Sequence, residues 1–220
     1  MIDADYRRLI LWRHGRTRWN VEHRFQGHTD IPLDEVGQQQ AAESAKILAA
    51  LDPDLIICSD LQRARATAQA LAEIVGLEPV VDPSLRETNG GDWEGRKHDE
   101  LLAEYPNFRT WVADSDDVRP DGNGETRSEV AARVVEAVQA ALAALPQAST
   151  LVVVSHGGAL RAGMGSLLDL PQSHWAALGG LNNCAWSVLA ERLDAHGQPR
   201  WRLREYNGWS LPEPALGDDT

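Results

Sequence analysis

The feature that most constrains the fold is an apolar run, Leu9–Trp12, that passes without a spacer into the polar segment 13–20, RHGRTRWN. A short apolar run of this kind is typical of a buried strand. In open α/β sheets ligands bind beyond the carboxyl ends of the strands, so His14, between Arg13 and Gly15, is placed to meet a ligand. The excess of arginine predicts an anionic ligand. The alternative for this segment alone is a strand that continues into a solvated basic turn.

Composition narrows the class of protein. With 220 residues, 43% of them hydrophobic, we expect residues 1–220 to form a single domain of α/β size with a modest insertion. A formal net charge of −12 argues against a nucleic acid or an anionic membrane surface as partner, because both would be repelled at long range. The N-terminus lacks the apolar stretch of a signal peptide, and no segment approaches the roughly 20 apolar residues of a membrane span. The two cysteines, Cys58 and Cys184, lack metal-binding spacing. Together these features predict a cytoplasmic protein.

Strand and helix patterns alternate along the rest of the chain. Short apolar runs predict five further strands: Leu55–Cys58, Pro79–Val81, Leu151–Val154, Val188–Leu189 and Trp201–Tyr206. We expect Asp34 to cap one intervening helix, Ser59 or Asp60 to cap the next, and a third helix to cover Ser128–Leu145. This alternation predicts an α/β fold, a three-layer α/β/α sandwich with a mostly parallel central sheet.

Two other strand ends carry side chains of the same kind as the first. The run that ends at Val154 continues into Ser155, His156 and two glycines, and Arg63 lies in the first turn of the helix after the second strand. A cation there opposes the helix dipole by about 0.3–1 kcal/mol, which a bound anion would offset. A solvated surface Arg63 is the alternative. Two histidines and an arginine at three strand ends are a rarer coincidence than any one alone, and they favour a shared site.

A fourth candidate, Glu87, lies in a glycine-rich loop after the third strand. Glycines let such a loop approach a ligand closely, and a partly desolvated glutamate beside a cationic pocket can act as a general acid. The alternative is an ion pair with Arg86 or another arginine. Periodicity weakens over residues 96–127, and we expect this helical insertion to form a lid over the active site.

In combination, these segments resemble the histidine phosphatase superfamily, also called the phosphoglycerate mutase-like enzymes, over nearly the whole chain. The similarity rests on Arg13–Gly15 with Thr17 and Asn20, Ser59–Ala64 with Thr67, Leu85–Glu87 with Gly91 and Trp93–Gly95, and Ser155–Gly158. All four blocks stand in the order that is typical of the family.

The resemblance implies that His14 is a nucleophile that forms a phosphohistidine and that Glu87 is the proton donor. It also implies a set of phosphate-binding residues: Arg13, Asn20, Gln26, Arg63, His156 and Gly157. It implies no metal ion and no cofactor, since the arginines supply the positive charge that the phosphoryl group requires.

The segment Gly91–Gly95 is similar to the phosphatase branch of the superfamily, and the C-terminal third, notably His174–Gly180 and Trp201–Asn207, resembles the glucosyl-3-phosphoglycerate phosphatases. The implied activity is hydrolysis of a small phosphomonoester, such as glucosyl-3-phosphoglycerate or a related phosphoglycerate. Two alternatives stay open: a cofactor-dependent mutase-type phosphotransferase, and a non-catalytic phospholigand-binding protein on the same fold. A homodimer is also left open. The segment Asn123–Thr126 departs from the Gly-Gly-Glu-Ser that is common in the family.

Two groups of side chains are candidates for substrate recognition. We expect Arg16, Arg18 and Arg86, which flank the strand ends, to pair with a substrate carboxylate. Four tryptophans are candidates for stacking on a sugar, namely Trp19, Trp93, Trp111 and Trp209. The alternative is that most tryptophans belong to the core.

Overall fold

The computed structural model describes residues 6–113, 117–121 and 123–210. At its centre is a six-stranded sheet with strand order β3-β2-β4-β1-β5-β6. The strands are β1 (Arg8–Arg13), β2 (Leu55–Cys58), β3 (Val80–Val81), β4 (Thr150–Ser155), β5 (Trp186–Leu193) and β6 (Pro199–Gly208). Strands β1 to β4 run parallel, whereas β5 and β6 are antiparallel to their neighbours. The predicted, mostly parallel sheet is confirmed.

Seven α-helices accompany the sheet in the described ranges: α1 (Arg18–Val21), α2 (Glu35–Ala49), α3 (Gln62–Val75), α4 (His98–Glu104), α5 (Pro106–Val112), α6 (Arg127–Ala143) and α7 (Gly157–Leu167). Three 3₁₀ helices lie at Pro83–Leu85, Gly91–Trp93 and Gln172–Ala177. None of the helices in these ranges combines the length and the apolar character that a membrane span requires.

Alternate side chains of β1 pack on opposite faces of the sheet, as the pleat of a strand dictates. Leu9 and Leu11 belong to a core built with helices α6 and α7, whereas Ile10 and Trp12 belong to a second core built with α2 and α3. All four side chains are buried. Helices therefore cover both faces, and the predicted three-layer α/β/α sandwich is confirmed.

The helix N-termini agree with one prediction and correct another. Asp34 caps α2, because its carboxylate accepts the backbone N–H of Gly37 at 2.7 Å. The prediction that Ser59 or Asp60 caps α3 is wrong: the N-cap position is Leu61, and the N–H of Gln62 donates instead to the Asp30 carboxylate at 2.8 Å. The side chains of Ser59 and Asp60 bind other partners, described below, and this explains why Asp30 accepts the N–H at the start of α3 instead.

The insertion contains α4 and α5 and packs through aromatic side chains. Phe25, Trp93, Leu101 and Phe108 form a third buried cluster, against which Trp111 is partly buried. Phe25 comes from the loop after β1, so this cluster joins the insertion to the end of the first strand. Residues 114–116 and 122 of the predicted lid lie outside the described residues.

Candidate active site

A cavity opens at the carboxyl ends of β1 and β4, where parallel strands present their following loops together. Six of the eight predicted site residues line it: Arg13, His14, Asn20, Gln26, Arg63 and Glu87. The remaining two, His156 and Gly157, are not among the lining residues, although His156 packs against His14. The cavity walls also include side chains that sequence reasoning missed, namely Arg24, Phe25, His98, Arg127 and Arg161.

His14 has the environment of a neutral imidazole. Its side chain is buried, and Nδ1 donates to the Gly15 carbonyl oxygen at 2.7 Å, which leaves the lone pair on Nε2. Burial holds the pKa of His14 well below its usual value, and the guanidinium groups of Arg63 and Arg13 lower it further. The ring is therefore neutral at neutral pH, with its single proton on Nδ1, and Nε2 is able to act as a nucleophile.

Arg63, in the first turn of α3, is completely buried. Its Nη1 and Nη2 donate to the carbonyl oxygens of Thr29 and Gly27, both at 2.8 Å, so the guanidinium is held by the loop after β1. Burial lowers the pKa of Arg63 to about 10, against the opposing effect of the Glu87 carboxylate. Arg63 stays charged at neutral pH, and it is not the solvated residue of the alternative interpretation.

Arg13 supplies a second buried cation. Its Nη1 donates to the carbonyl oxygen of Leu181, whereas its Nε is buried and has no hydrogen-bond partner among the described residues. A buried donor without a partner costs about 1–3 kcal/mol. An anion in the cavity that Arg13 lines would recover that cost, so the arrangement favours binding of a phosphoryl group.

The amides of Asn20 and Gln26 are oriented by Thr17. The Thr17 hydroxyl lies 3.0 Å from both Asn20 Oδ1 and Gln26 Oε1, and the Asn20 oxygen also accepts the Thr17 backbone N–H. Thr17 is completely buried and is the N-cap of α1. This network holds both amides at the cavity wall.

Glu87 is held at the N-terminus of α7. Its Oε1 accepts the backbone N–H groups of Thr88 at 2.7 Å and Ala159 at 2.9 Å, and its Oε2 accepts that of Gly158 at 3.0 Å. A helix N-terminus favours a negative charge of this kind. The contact also explains the glycine, because a Cβ at position 158 would lie 2.7 Å from Glu87 Oε1. The predicted acid thus lies at the first turn of α7, in the same cavity as His14.

His156 packs edge-on against His14, with ring centroids 5.1 Å apart. Its Nδ1 accepts from Arg63 Nε at 3.1 Å, so Nε2 carries the proton and donates to Ser59 Oγ at 2.9 Å. This use of Ser59 is one reason why it does not cap α3. Burial, followed by the charge of Arg63, holds the pKa of His156 well below its usual value. His156 orients Arg63 in this arrangement, and its contact with phosphate stays a prediction, as does that of Gly157.

The expectation that Arg16, Arg18 and Arg86 recognise a substrate carboxylate is wrong. Arg16 Nε pairs with Asp34 at 2.8 Å, and Arg86 makes two hydrogen bonds to Asp60. Arg18 pairs with Glu22 on the surface, and its side chain is 82% exposed. None of the three lines the cavity. Their position outside the cavity, rather than their pairing with a carboxylate of this chain, is what excludes the predicted role.

Three other arginines line the cavity, and each comes from a different element. Arg24 follows α1, Arg127 begins α6, and Arg161 lies one helical turn after Gly157 in α7. That spacing of four residues from Gly157, the first residue of α7, is a signal that sequence reasoning missed. Arg24 and Arg127 follow irregular segments, where no periodicity indicates the direction of a side chain.

The candidate tryptophans lie in the cavity wall, in the core and at the surface. Trp111 lines the cavity, and the Arg127 guanidinium lies 4.2 Å from the centroid of its ring. Trp93 is completely buried in the aromatic cluster, and Trp209 is 45% exposed.

Among the described residues, no group of three or more histidine, cysteine, aspartate or glutamate side chains is arranged to hold a metal ion.

Comparison with known proteins agrees with this geometry. The sequence profile of the histidine phosphatase superfamily (branch 1) matches residues 9–208. The glucosyl-3-phosphoglycerate phosphatase of Mycolicibacterium vanbaalenii is 40% identical over 215 residues, covering 91% of this chain and 94% of the relative. A probable phosphoglycerate mutase, GpmB, of Erwinia tasmaniensis is 39% identical over 201 residues, covering 91% and 89%.

Solved structures show the same relationship. A mycobacterial glucosyl-3-phosphoglycerate phosphatase in complex with VO3 superposes with a TM-score of 0.85 at 41% identity, covering 91% of this chain and 98% of that one. The family expected from the sequence motifs is confirmed. The chain belongs to the histidine phosphatase superfamily and is an enzyme that hydrolyses phosphomonoesters.

Proposed function

We propose that this enzyme hydrolyses a small phosphomonoester that also carries a carboxylate, through a phosphohistidine intermediate on His14. The leading candidates are glucosyl-3-phosphoglycerate and related phosphoglycerates. The observation that carries the proposal is a buried, neutral His14 between the guanidinium groups of Arg13 and Arg63, with the Glu87 carboxyl group in the same cavity. A neutral nucleophile beside two fixed cations is the arrangement that phosphoryl transfer requires.

In the first step, His14 Nε2 attacks phosphorus in line with the ester oxygen. The N–P bond forms as the P–O bond to the leaving group breaks, and Glu87 gives its proton to the departing oxygen. Arg13 and Arg63 stabilise the charge on the remaining phosphoryl oxygens. The hydrogen bond from His14 Nδ1 to the Gly15 carbonyl supports this step, because it holds the ring in the reactive tautomer.

In the second step, a water molecule attacks the phosphohistidine. Glu87, now a carboxylate, accepts the proton of this water, the N–P bond breaks, and inorganic phosphate leaves with His14 restored. Three backbone N–H groups hold the Glu87 carboxylate in place, so the same side chain serves both steps without a change of position. No step in this scheme calls for a metal ion or a cofactor.

The outer part of the cavity supports a substrate with a second anionic group. Arg24, Arg127 and Arg161 line the cavity in addition to the two arginines that serve the phosphoryl group, and Arg24 also pairs with Glu22 at 2.7 Å. Guanidinium groups bind carboxylates in planar, bidentate geometry. Trp111 and Phe25 add an aromatic wall on which a sugar ring can pack. The M. vanbaalenii relative is named for a substrate that combines these features, a sugar and a phosphoglycerate.

A panel of phosphate esters tests the substrate proposal. We expect glucosyl-3-phosphoglycerate or 3-phosphoglycerate to show a higher kcat/KM than nucleoside monophosphates or phosphotyrosine peptides. With a substrate whose phosphoryl group is radiolabelled, rapid quenching with alkali should trap a phosphoenzyme that carries the label on His14. A nucleotide or phosphopeptide as best substrate would overturn the substrate class, and a phosphoenzyme absent under single turnover would overturn the mechanism.

The similarity to GpmB supports phosphoryl transfer to a second phosphoglycerate as a competing activity. The two activities differ in the acceptor that attacks the phosphohistidine. In water enriched in ¹⁸O, hydrolysis incorporates the label into released phosphate, whereas transfer moves an unlabelled phosphoryl group to the acceptor. We expect labelled phosphate even when excess 2-phosphoglycerate is present.

Several broader predictions accompany this proposal. We propose that residues 1–220 form one domain, that segment 96–127 closes over the bound substrate, and that the enzyme is cytoplasmic. Cys58 and Cys184 are buried free thiols, as a reducing compartment favours. The homodimer stays a prediction for sedimentation equilibrium to test.

A further inference from the structure

The main chain that carries Glu87 depends on side chains for its hydrogen bonds. Residues 84–87 end a 3₁₀ helix and continue as a loop outside the sheet. Buried or partly buried carbonyl groups need partners, and those of this loop take them from elsewhere in the chain. Ser155 Oγ donates to the carbonyl oxygen of Leu85 at 2.7 Å. The carbonyls of Ser84, Arg86 and Glu87 all accept from one residue, Arg133.

Arg133 lies in α6 and uses all five of its N–H donors. Nη1 donates to the carbonyl oxygens of Ser84 at 2.8 Å and Arg86 at 2.6 Å. Nη2 donates to the Glu87 carbonyl oxygen at 2.8 Å and to Glu125 Oε2 at 2.8 Å, and Nε donates to Glu125 Oε1 at 2.9 Å. A planar guanidinium with five satisfied donors has one orientation in which every bond is made.

Glu125 completes this contact from the end of the insertion. It pairs with Arg133 through both carboxylate oxygens, and its Oε2 also accepts the backbone N–H of Asn89 at 2.9 Å. Burial alone raises the pKa of Glu125, but the hydrogen bonds from Arg133 and Asn89 outweigh that effect and hold the pKa below its usual value. The carboxylate thus stays charged and keeps the guanidinium in place at neutral pH.

Hydrogen bonds therefore hold Glu87 both at its main-chain carbonyl oxygen and at its carboxylate. Arg133 Nη2 and His28 Nε2, at 2.8 and 2.9 Å, donate to its carbonyl oxygen, and the first turn of α7 binds its carboxylate. A displacement of the main chain at position 87 therefore moves the carboxylate relative to the first turn of α7 and to His14.

We infer that Arg133 is a positioning residue for Glu87, and that its contacts with three loop carbonyls and with Glu125 place the Glu87 carboxyl group for proton transfer. The inference rests on the proposed role of Glu87 as proton donor. Arg133 does not line the cavity, so its effect passes through Glu87. A misplacement of about 1 Å at a reacting group costs up to about 10²-fold in rate.

Replacement of Arg133 by lysine gives a sharp test, because lysine keeps the charge but has three donors on a single nitrogen and cannot bind three carbonyls and a carboxylate together. We expect Arg133→Lys to lower kcat/KM, which reports only the steps up to formation of the phosphohistidine, about tenfold or more on an alkyl phosphate such as 3-phosphoglycerate. On p-nitrophenyl phosphate, whose leaving group needs no proton, the loss should stay below about threefold. Arg200→Lys is the matched control, since Arg200 pairs with Asp169 on the surface through a comparable bond of 2.8 Å.

Three further measurements separate positioning from general structure. Combining Arg133→Lys with Glu87→Gln should give no greater loss on the alkyl substrate than Glu87→Gln alone, because both act through one group. Glu125→Gln should show the same dependence on leaving group with a smaller loss, and it tests the inference if Arg133→Lys does not fold. Amide hydrogen exchange at Gly158 and Ala159, whose N–H groups bind Glu87, should speed up in either variant but not in Arg200→Lys.

The outcomes are distinct. Equal losses on the two substrates, additive effects, or unchanged exchange at Gly158 and Ala159 would each overturn the positioning role. A wild-type enzyme without phosphatase activity, or a Glu87→Gln variant whose kcat/KM falls equally on both substrates, would instead refute the proposed function. In that case the exchange measurement alone still decides whether Arg133 holds Glu87.

Discussion

Gly158→Ala is the substitution whose effect the structure specifies most closely. A Cβ at this position would lie 2.7 Å from Glu87 Oε1, whereas ordinary van der Waals contact begins at 3.4 Å. Closing the difference between these two distances moves the carboxylate by about 0.7 Å or more. Such a shift weakens hydrogen bonds to Gly158 and Ala159 that are each worth about 1 kcal/mol. Displacement of this size at a proton donor predicts a loss of roughly ten- to a hundredfold in kcat/KM on an alkyl phosphate.

The free energy of unfolding of the Gly158→Ala variant should increase slightly or hardly change. Alanine in a helix is favoured over glycine by about 1 kcal/mol, which offsets the weakened contact with Glu87. We therefore expect Gly158→Ala to unfold in urea within about 1 kcal/mol of the parent while it loses activity on alkyl phosphates. Gly179→Ala serves as control, since a Cβ there meets no atom within 4 Å.

The assay compares kcat/KM on 3-phosphoglycerate with kcat/KM on p-nitrophenyl phosphate for the parent and both variants, because kcat/KM excludes the hydrolysis of the phosphohistidine that the two substrates share. The loss for Gly158→Ala should be concentrated on 3-phosphoglycerate, whose leaving oxygen needs the proton. A Gly158→Ala enzyme with the parent's kcat/KM on both substrates would refute the argument, because it would show that the position of the Glu87 carboxylate does not limit phosphoryl transfer to His14.

Three other predictions follow from the cavity. His14→Ala should abolish turnover and alkali-stable phosphoenzyme while its circular dichroism spectrum matches that of the parent; retained activity would exclude His14 as nucleophile. Because the folded state holds His14 and His156 neutral while the unfolded chain binds protons near pH 6.5, stability should be fully present above that pH and fall below it. The slope reaches up to about 1.4 kcal/mol per pH unit for each ring, and urea titrations that show no such loss between about pH 6.5 and 5.5 would contradict it. Arg24→Gln or Arg161→Gln should lower kcat/KM for 3-phosphoglycerate more than for p-nitrophenyl phosphate, whereas Arg16→Gln should not alter that ratio; the reverse pattern would return Arg16 to substrate recognition.

The sequence predicted the frame of the site well because that frame follows from strand polarity. Apolar runs that end in Arg13-His14 and in Ser155-His156 must place those residues at one edge if the strands are parallel, and β1 and β4 are indeed adjacent in the sheet. Arg63 follows the same rule, since α3 starts where β2 ends. A local pattern was sufficient for these residues because each comes directly after a strand.

The arginines show that local sequence patterns do not predict the partner of a side chain. Arg16 and Arg86 stand beside strand ends in the sequence, yet they pair with Asp34 and Asp60, and no periodicity in the chain encodes those partners. Whether an arginine faces a ligand or a carboxylate of its own chain depends on which acidic residue the fold brings within reach. The predicted cap of α3 was wrong for a related reason. The carboxylate of Asp30, far away in sequence, accepts the backbone N–H of Gln62, which was expected to bind Ser59 or Asp60.

By itself, the sequence determined the superfamily, the layered α/β fold and the cluster of residues at the strand ends, because these depend on short-range periodicity and on the direction of consecutive strands. Only the tertiary structure decided that Arg24 and Arg161 line the cavity and that Arg133 holds the loop of Glu87. Arg133 and Glu87 are separated by 46 positions, and their contact exists because α6 packs beside that loop. Hydrogen bonds over such separations are selected by the packing of whole elements, which the pattern of one segment does not contain.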